Sequence, residues 1–148
     1  MFRFRLDFLL RYRRQLEETE MHELANKVRA ANQIQADLAE VRTRAKELAD
    51  SVRQRTSVKV TAPVLALYSN YLHELRKRNL AGQSNLARAE KEVDRQRETL
   101  TEAAIKRKSI ERLEELEGRA FIETDLKREQ KVFDELTSLK SAREKDEK

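Results

Sequence analysis

With 40% of its 148 residues charged, 5% aromatic, two glycines and one proline, this chain has too few bulky apolar and turn-forming residues for one compact core. It has no cysteine, so a disulfide framework and a thiolate metal site are excluded. No apolar run approaches the roughly 18–20 residues of a membrane span, and the net charge of +5 leaves a mildly basic, strongly charged chain.

The opening segment, Met1 to Arg14, is arginine-rich and amphipathic in the manner of a transit peptide or a membrane-surface helix. A heptad seam begins inside it and continues into acidic sequence, which favours a structural helix. Phe4, Phe8 and Tyr12 form an i, i+4, i+8 stripe beside that seam, suited to docking a partner or to covering a neighbouring helix. The seam runs Leu6, Leu10, Arg13, Glu17, Glu20, Leu24, Lys27, Ala31, Ile34, Leu38, Val41, Ala45, Leu48, Val52. Its 3.5-residue period is what two supercoiling helices need to keep one face toward each other. With no Gly or Pro inside, the pattern predicts helix one over about 5–55.

The pattern lapses over 56–62, where β-branched and hydroxyl residues lower helix propensity. Pro63, the only proline, suits the first turn of a second helix, with Thr61 or Ala62 as its N-cap and Thr61 the chemically better suited. A second seam follows: Leu65, Tyr68, Leu72, Leu75, Asn79, Gly82, Leu86, Ala89, Val93, Gln96, Leu100, Ala103, Arg107, Ile110. Helix two is predicted over about 63–139, with a frayed tail at 140–148. So short a connection forces antiparallel neighbours. The expected fold is all-α: two long helices in an antiparallel coiled-coil hairpin, the second overhanging the first. At 1.5 Å per residue the helices are ~75 Å and up to ~115 Å long. A turn centred near Lys59 sets position i against roughly 118 minus i, so helix two beyond Gly118 is expected to lack a partner. There Ile122, Leu126, Phe133 and Leu136 form a new apolar stripe that needs covering.

The seam is weak. Arg13, Glu17, Glu20, Lys27, Asn79, Gln96 and Arg107 occupy core-type positions, and four alanines allow close approach with little burial. Charge is also uneven. Residues 42–78 carry nine bases against three acids, and 111–135 carry nine acids against five bases. That polarity would orient the hairpin between partners.

Catalytic chemistry finds no foothold. His22 and His73 lie far apart and stand in no metal-ligand spacing. The Glu-rich stretch 111–117 reads as a solvated face with no pocket to perturb a carboxylate. No Gly-rich phosphate loop is present. The expectation is a non-enzyme with no cofactor and no small-molecule substrate. Basic residues interleaved with Tyr68 and Tyr71 near the turn could in principle hold nucleic acid, but no nucleic-acid motif accompanies them and none is expected to bind.

Three segments carry a family resemblance: Phe2, Phe4, Leu6, Phe8, Leu10 and Arg13 at the start, Tyr68-Ser-Asn-Tyr71-Leu72-His-Glu-Leu75 after the turn, and Arg128-Glu-Gln130-Lys131-Val-Phe133-Asp134-Glu135 near the end. Together with the length and the hairpin layout they resemble the flagellar export protein FliJ. The resemblance implies a stalk of the type III export ATPase, similar to the two-helix coiled coil of a rotary ATPase γ subunit. It implies three partners: the hexameric export ATPase, the export gate protein FlhA, and export chaperones. It also implies a cytoplasmic location, peripheral at the inner membrane through the export apparatus. On the matching positions, Tyr68, Tyr71, Leu72 and Leu75 are the gate-binding candidates. Arg11, Arg13, Arg14, Gln130, Lys131, Asp134 and Glu135 are the ATPase-binding candidates. One departure stands out. Arg42, Arg44, Leu48 and Val52 occupy the helix-one area where the family pattern would place tyrosines. An injectisome stalk homologue and a generic coiled-coil adaptor are the alternative readings.

Overall fold

The computed structural model describes residues 2–55 and 60–146, with side chains as far as Leu139. Helix α1 spans Asp7–Arg55 and helix α2 spans Ala62–Asp146. Among the described residues there is no strand, no cis peptide and no positive φ. Most of the expected turn, 56–59, lies outside the described residues. So do 147 and 148 of the tail expected to fray, whose earlier part is helical to Asp146.

The helix ends follow from local chemistry. The Asp7 N–H donates to the Phe4 carbonyl at 3.3 Å, and the Leu10 N–H to Leu6 at 2.9 Å. Asp7 in the first turn favours the positive end of the helix dipole and takes a 2.6 Å hydrogen bond from Arg11. At α2 the Thr61 carbonyl accepts from the Val64 and Leu65 N–H groups at 3.1 and 3.2 Å, as an N-cap residue does.

The chain divides into two compact units. Unit one joins Met1–Glu17 to Ala103–Lys148, and unit two is Glu18–Glu102. In each, a stretch of α1 lies antiparallel to a stretch of α2. Unit two is built on Ala31, Leu38, Leu75, Val93 and Gln96, and unit one on Leu10, Ala103 and Ile110. Every one of these buried residues sits on the 3-4 spacing read from the sequence.

The register differs from the expected one. In unit two a Cβ built on Gly82 lies 2.8 Å from Leu38 Cδ1, and Arg42 hydrogen-bonds Asn79 at 3.1 Å. Position i therefore faces roughly 120 minus i. In unit one Arg107 pairs with Glu17, and the rings of Phe2 and Phe121 lie 5.7 Å apart, so the offset is larger still. Residues 2–4 precede the helix, and an extended segment gains about twice the length per residue of a helix. Phe2 thus covers α2 past Gly118 as far as Phe121. Phe8 and Tyr12 of the expected stripe do not add to this cover, being 80% and 52% exposed, whereas Phe4 is half-buried.

The two glycines predict opposite responses. α2 runs unbroken through Gly118, where a Cβ would meet only Phe2 Cε1 at an ordinary 3.7 Å. Gly118→Ala should stabilise the hairpin by up to about 1 kcal/mol through helix propensity. At Gly82 the 2.8 Å approach to buried Leu38 opposes that gain. A bulkier Gly82→Leu should cost about 2 kcal/mol by overpacking. Thermal unfolding followed by circular dichroism would read both, as midpoints moving in opposite directions.

The polar residues on the seam are satisfied largely by one another. In unit two the Gln96 amide donates to the Glu20 carboxylate at 2.5 Å and to its backbone carbonyl at 3.3 Å, while Lys27 donates to Gln96 at 3.1 Å. In unit one Arg107 is held by Glu17 and Glu111, and Arg14 bonds Glu111 at 3.1 Å. The Glu17 hydrogen bond raises the Arg107 pKa above the ordinary guanidinium value, against the opposing effect of burial and with the help of Glu111. A raised folded-state pKa gives stability that is fully present below the unfolded value and lost only above it. Arg107 therefore keeps its charge throughout the working pH range.

Candidate interaction surfaces

The post-turn motif lies in the first turns of α2, in unit two. Its members separate by helical phase. Leu75 is 1% exposed and packs in the core, Tyr68 and Leu72 are half-buried, and Tyr71 is 44% exposed. Leu75, expected among the gate contacts, therefore supports the motif from beneath. The accessible part of the motif is Tyr71 with the edges of Tyr68 and Leu72. On α1 of the same unit, Leu48 and Val52 are half-buried, whereas Arg42 and Arg44 are engaged by Asn79 and Glu40 respectively.

The other candidates lie in unit one and fall into two groups. Arg11 is paired with Asp7, and Arg14 with Glu111. Arg13 has its guanidinium 5.9 Å from the Tyr12 ring centre, and its Nε is buried without a hydrogen-bond partner. Gln130, Lys131, Asp134 and Glu135 are exposed on the part of α2 beyond Phe121. From Glu111, which Arg14 touches, to Gln130 is about 29 Å along the helix. The two groups do not form one patch. Around the second group, Ile122, Leu126, Phe133 and Leu136 are all exposed, Phe133 to 70%. Heptad spacing places this stripe in the sequence but misses Phe121, Val132 and Leu139, which widen it to a second row.

His22 and His73 are exposed, and no cluster of metal-ligating side chains occurs among the described residues. No described helix is long and apolar enough to cross a membrane.

No curated protein and no solved structure matches the chain. Residues 1–146 match the family described as Flagellar FliJ protein, a span that includes both helices and all three motif segments. A match over nearly every residue, on a two-helix antiparallel hairpin, settles the family: the chain belongs to the flagellar FliJ proteins.

Proposed function

We propose that this flagellar export protein is a non-enzymatic stalk of the type III export apparatus. In this reading it links the hexameric export ATPase to the export gate protein FlhA, engages export chaperones, and works peripherally at the cytoplasmic face of the inner membrane. Support comes from the full-length family match together with one structural observation: the longer helix leaves a wide apolar stripe exposed past Phe121. Such a stripe needs a protein surface to cover it. The ATPase contacts are assigned to that stripe with Gln130, Lys131, Asp134 and Glu135, and to Arg11, Arg13 and Arg14. The gate contacts are assigned to Tyr71, Tyr68 and Leu72, held in place by Leu75. An asymmetric hairpin seated in a ring contacts its subunits unequally, and that differential binding shifts their conformational populations.

Mixing the protein with purified export ATPase tests this. Hexamer formation and ATP turnover should rise, and the two proteins should co-migrate. Phe133→Ser combined with Leu136→Ser should abolish the effect with helicity unchanged, since both side chains are exposed. Unchanged assembly and turnover with no co-migration would remove the stalk reading.

A further inference from the structure

We propose that the turn-proximal end of unit two is a docking surface for an anionic lipid membrane. Composition gives the first sign. In a chain that is 40% charged, Val60 to His73 contains no Asp, Glu, Lys or Arg. The structure exposes much of that segment. Thr61 through Leu67 are all exposed, Leu67 to 70%. The six helical residues of this run, Ala62 to Leu67, face every direction around the axis. A partner helix or protein groove covers a one-sided stripe, whereas an apolar end exposed on all sides suits insertion into a fluid interface.

The order of residues along α2 matches the order of layers at a bilayer surface. Val64, Leu65 and Leu67 come first, then Tyr68 and Tyr71, then Arg76 and Lys77. Val64 and Tyr71 are about 10 Å apart along the axis, and Tyr71 and Arg76 about 8 Å. Interfacial segments bury about 5–10 Å, tyrosines favour the headgroup level, and basic side chains take the anionic lipid phosphates. By the register of unit two, Arg53 and Arg55 in the last turn of α1 lie level with Leu67 and Leu65, and their long stems allow the guanidinium groups to snorkel from there toward the headgroups. Two of the three nearby acids are already paired, Asp50 with Arg53 and Glu74 with Arg78, while Glu47 is exposed one turn farther from the end.

The backbone fits as well. The start of a helix ordinarily presents unsatisfied N–H groups, which are costly in an apolar medium. Here Pro63 has no N–H to satisfy, and those of Val64 and Leu65 are bonded to Thr61. Tyr68 and Tyr71 are also the assigned gate contacts, so membrane docking and gate binding at this end exclude one another and would alternate, whereas the ATPase linkage is independent of the docking and either can fail without the other.

The test is flotation of the full chain with vesicles of phosphatidylcholine, with and without about 30 mol% phosphatidylglycerol. Binding is expected only to the anionic vesicles and is expected to fall steeply at about 0.5 M salt. Leu65→Ser with Leu67→Ser should weaken it about tenfold without changing helicity. Arg76→Gln and Lys77→Gln should each weaken it about fivefold. The chain has no tryptophan, so a single Leu67→Trp reports depth and should shift to the blue on anionic vesicles, while Leu80→Trp, equally exposed but farther along α2, should not. No flotation, or the same flotation from the double serine variant as from the unaltered chain, would overturn the proposal. The first result would make the surface a protein contact. The second would reduce the binding to the general attraction of a basic chain.

Discussion

Leu75→Ala will destabilise the hairpin by about 3 kcal/mol, enough to unfold a large share of the molecules near physiological temperature. Leu75 and Leu10 are the largest fully buried side chains among the described residues. Removing a buried leucine costs its transfer free energy plus the cavity it leaves, typically about 2–5 kcal/mol. The buried set in unit two otherwise consists of Ala31, Leu38, Val93 and Gln96, so little else compensates. A thermal melt by circular dichroism would show the lower midpoint. Leu80→Ala, on the exposed face of the same helix, should change stability by less than about 0.5 kcal/mol. Because Leu75 anchors the helix turn that carries Tyr71, the alanine variant should also lose any contact made through Tyr71, whereas Tyr71→Ser should lose that contact with stability nearly intact.

The second large effect lies at the Glu17–Arg107 pair. Arg107→Glu should cost about 2 kcal/mol. Breaking a fully buried ion pair costs about 3–5 kcal/mol, but the two side chains here keep 20% and 21% of their exposure and solvent softens the loss. The substitution also sets a new carboxylate against those of Glu17 and Glu111. Adding Glu17→Arg should recover much of the loss by restoring the opposite-charge pair across the seam. A double-mutant cycle on thermal or urea unfolding measures this coupling. Equal destabilisation by the single and double variants would show that the pair contributes no specific recognition between the helices. A coupling above about 1 kcal/mol would identify the polar seam as the device that sets register.

Periodicity carried most of the fold. The buried positions, from Leu10 to Ile110, all fall on the two seams read from the sequence, because burial in a helix pair is decided by phase and phase is what the spacing reports. Register was harder. A turn centred on Lys59 sets Glu17 against Thr101 and Lys27 against Lys91, and so hides the true partners Arg107 and Gln96. An offset of a few residues made a matched polar network look like a run of core defects. The reach of Phe2 to Phe121 was also illegible, since an extended segment ahead of a helix leaves no periodic trace.

The surfaces were legible as segments and less so as contacts. The string from Tyr68 to Leu75 mixes seam positions with an exposed one, and only the helical phase in the structure distinguishes buried Leu75 from exposed Tyr71. Similarly, Arg11, Arg13 and Arg14 stand as a basic cluster in the sequence. In three dimensions two of them are neutralised by Asp7 and Glu111, and Gln130 to Glu135 lie well beyond them along α2.

Simultaneous binding tests the proposed linkage most directly. In size-exclusion chromatography with light scattering, the full chain mixed with the export ATPase and the cytoplasmic part of the gate protein should give one ternary complex. Tyr71→Ser should release only the gate protein, and Phe133→Ser with Leu136→Ser should release only the ATPase. If the two partners compete for the chain, or if the same substitution releases both, the two surfaces do not serve separate partners and the stalk account is contradicted.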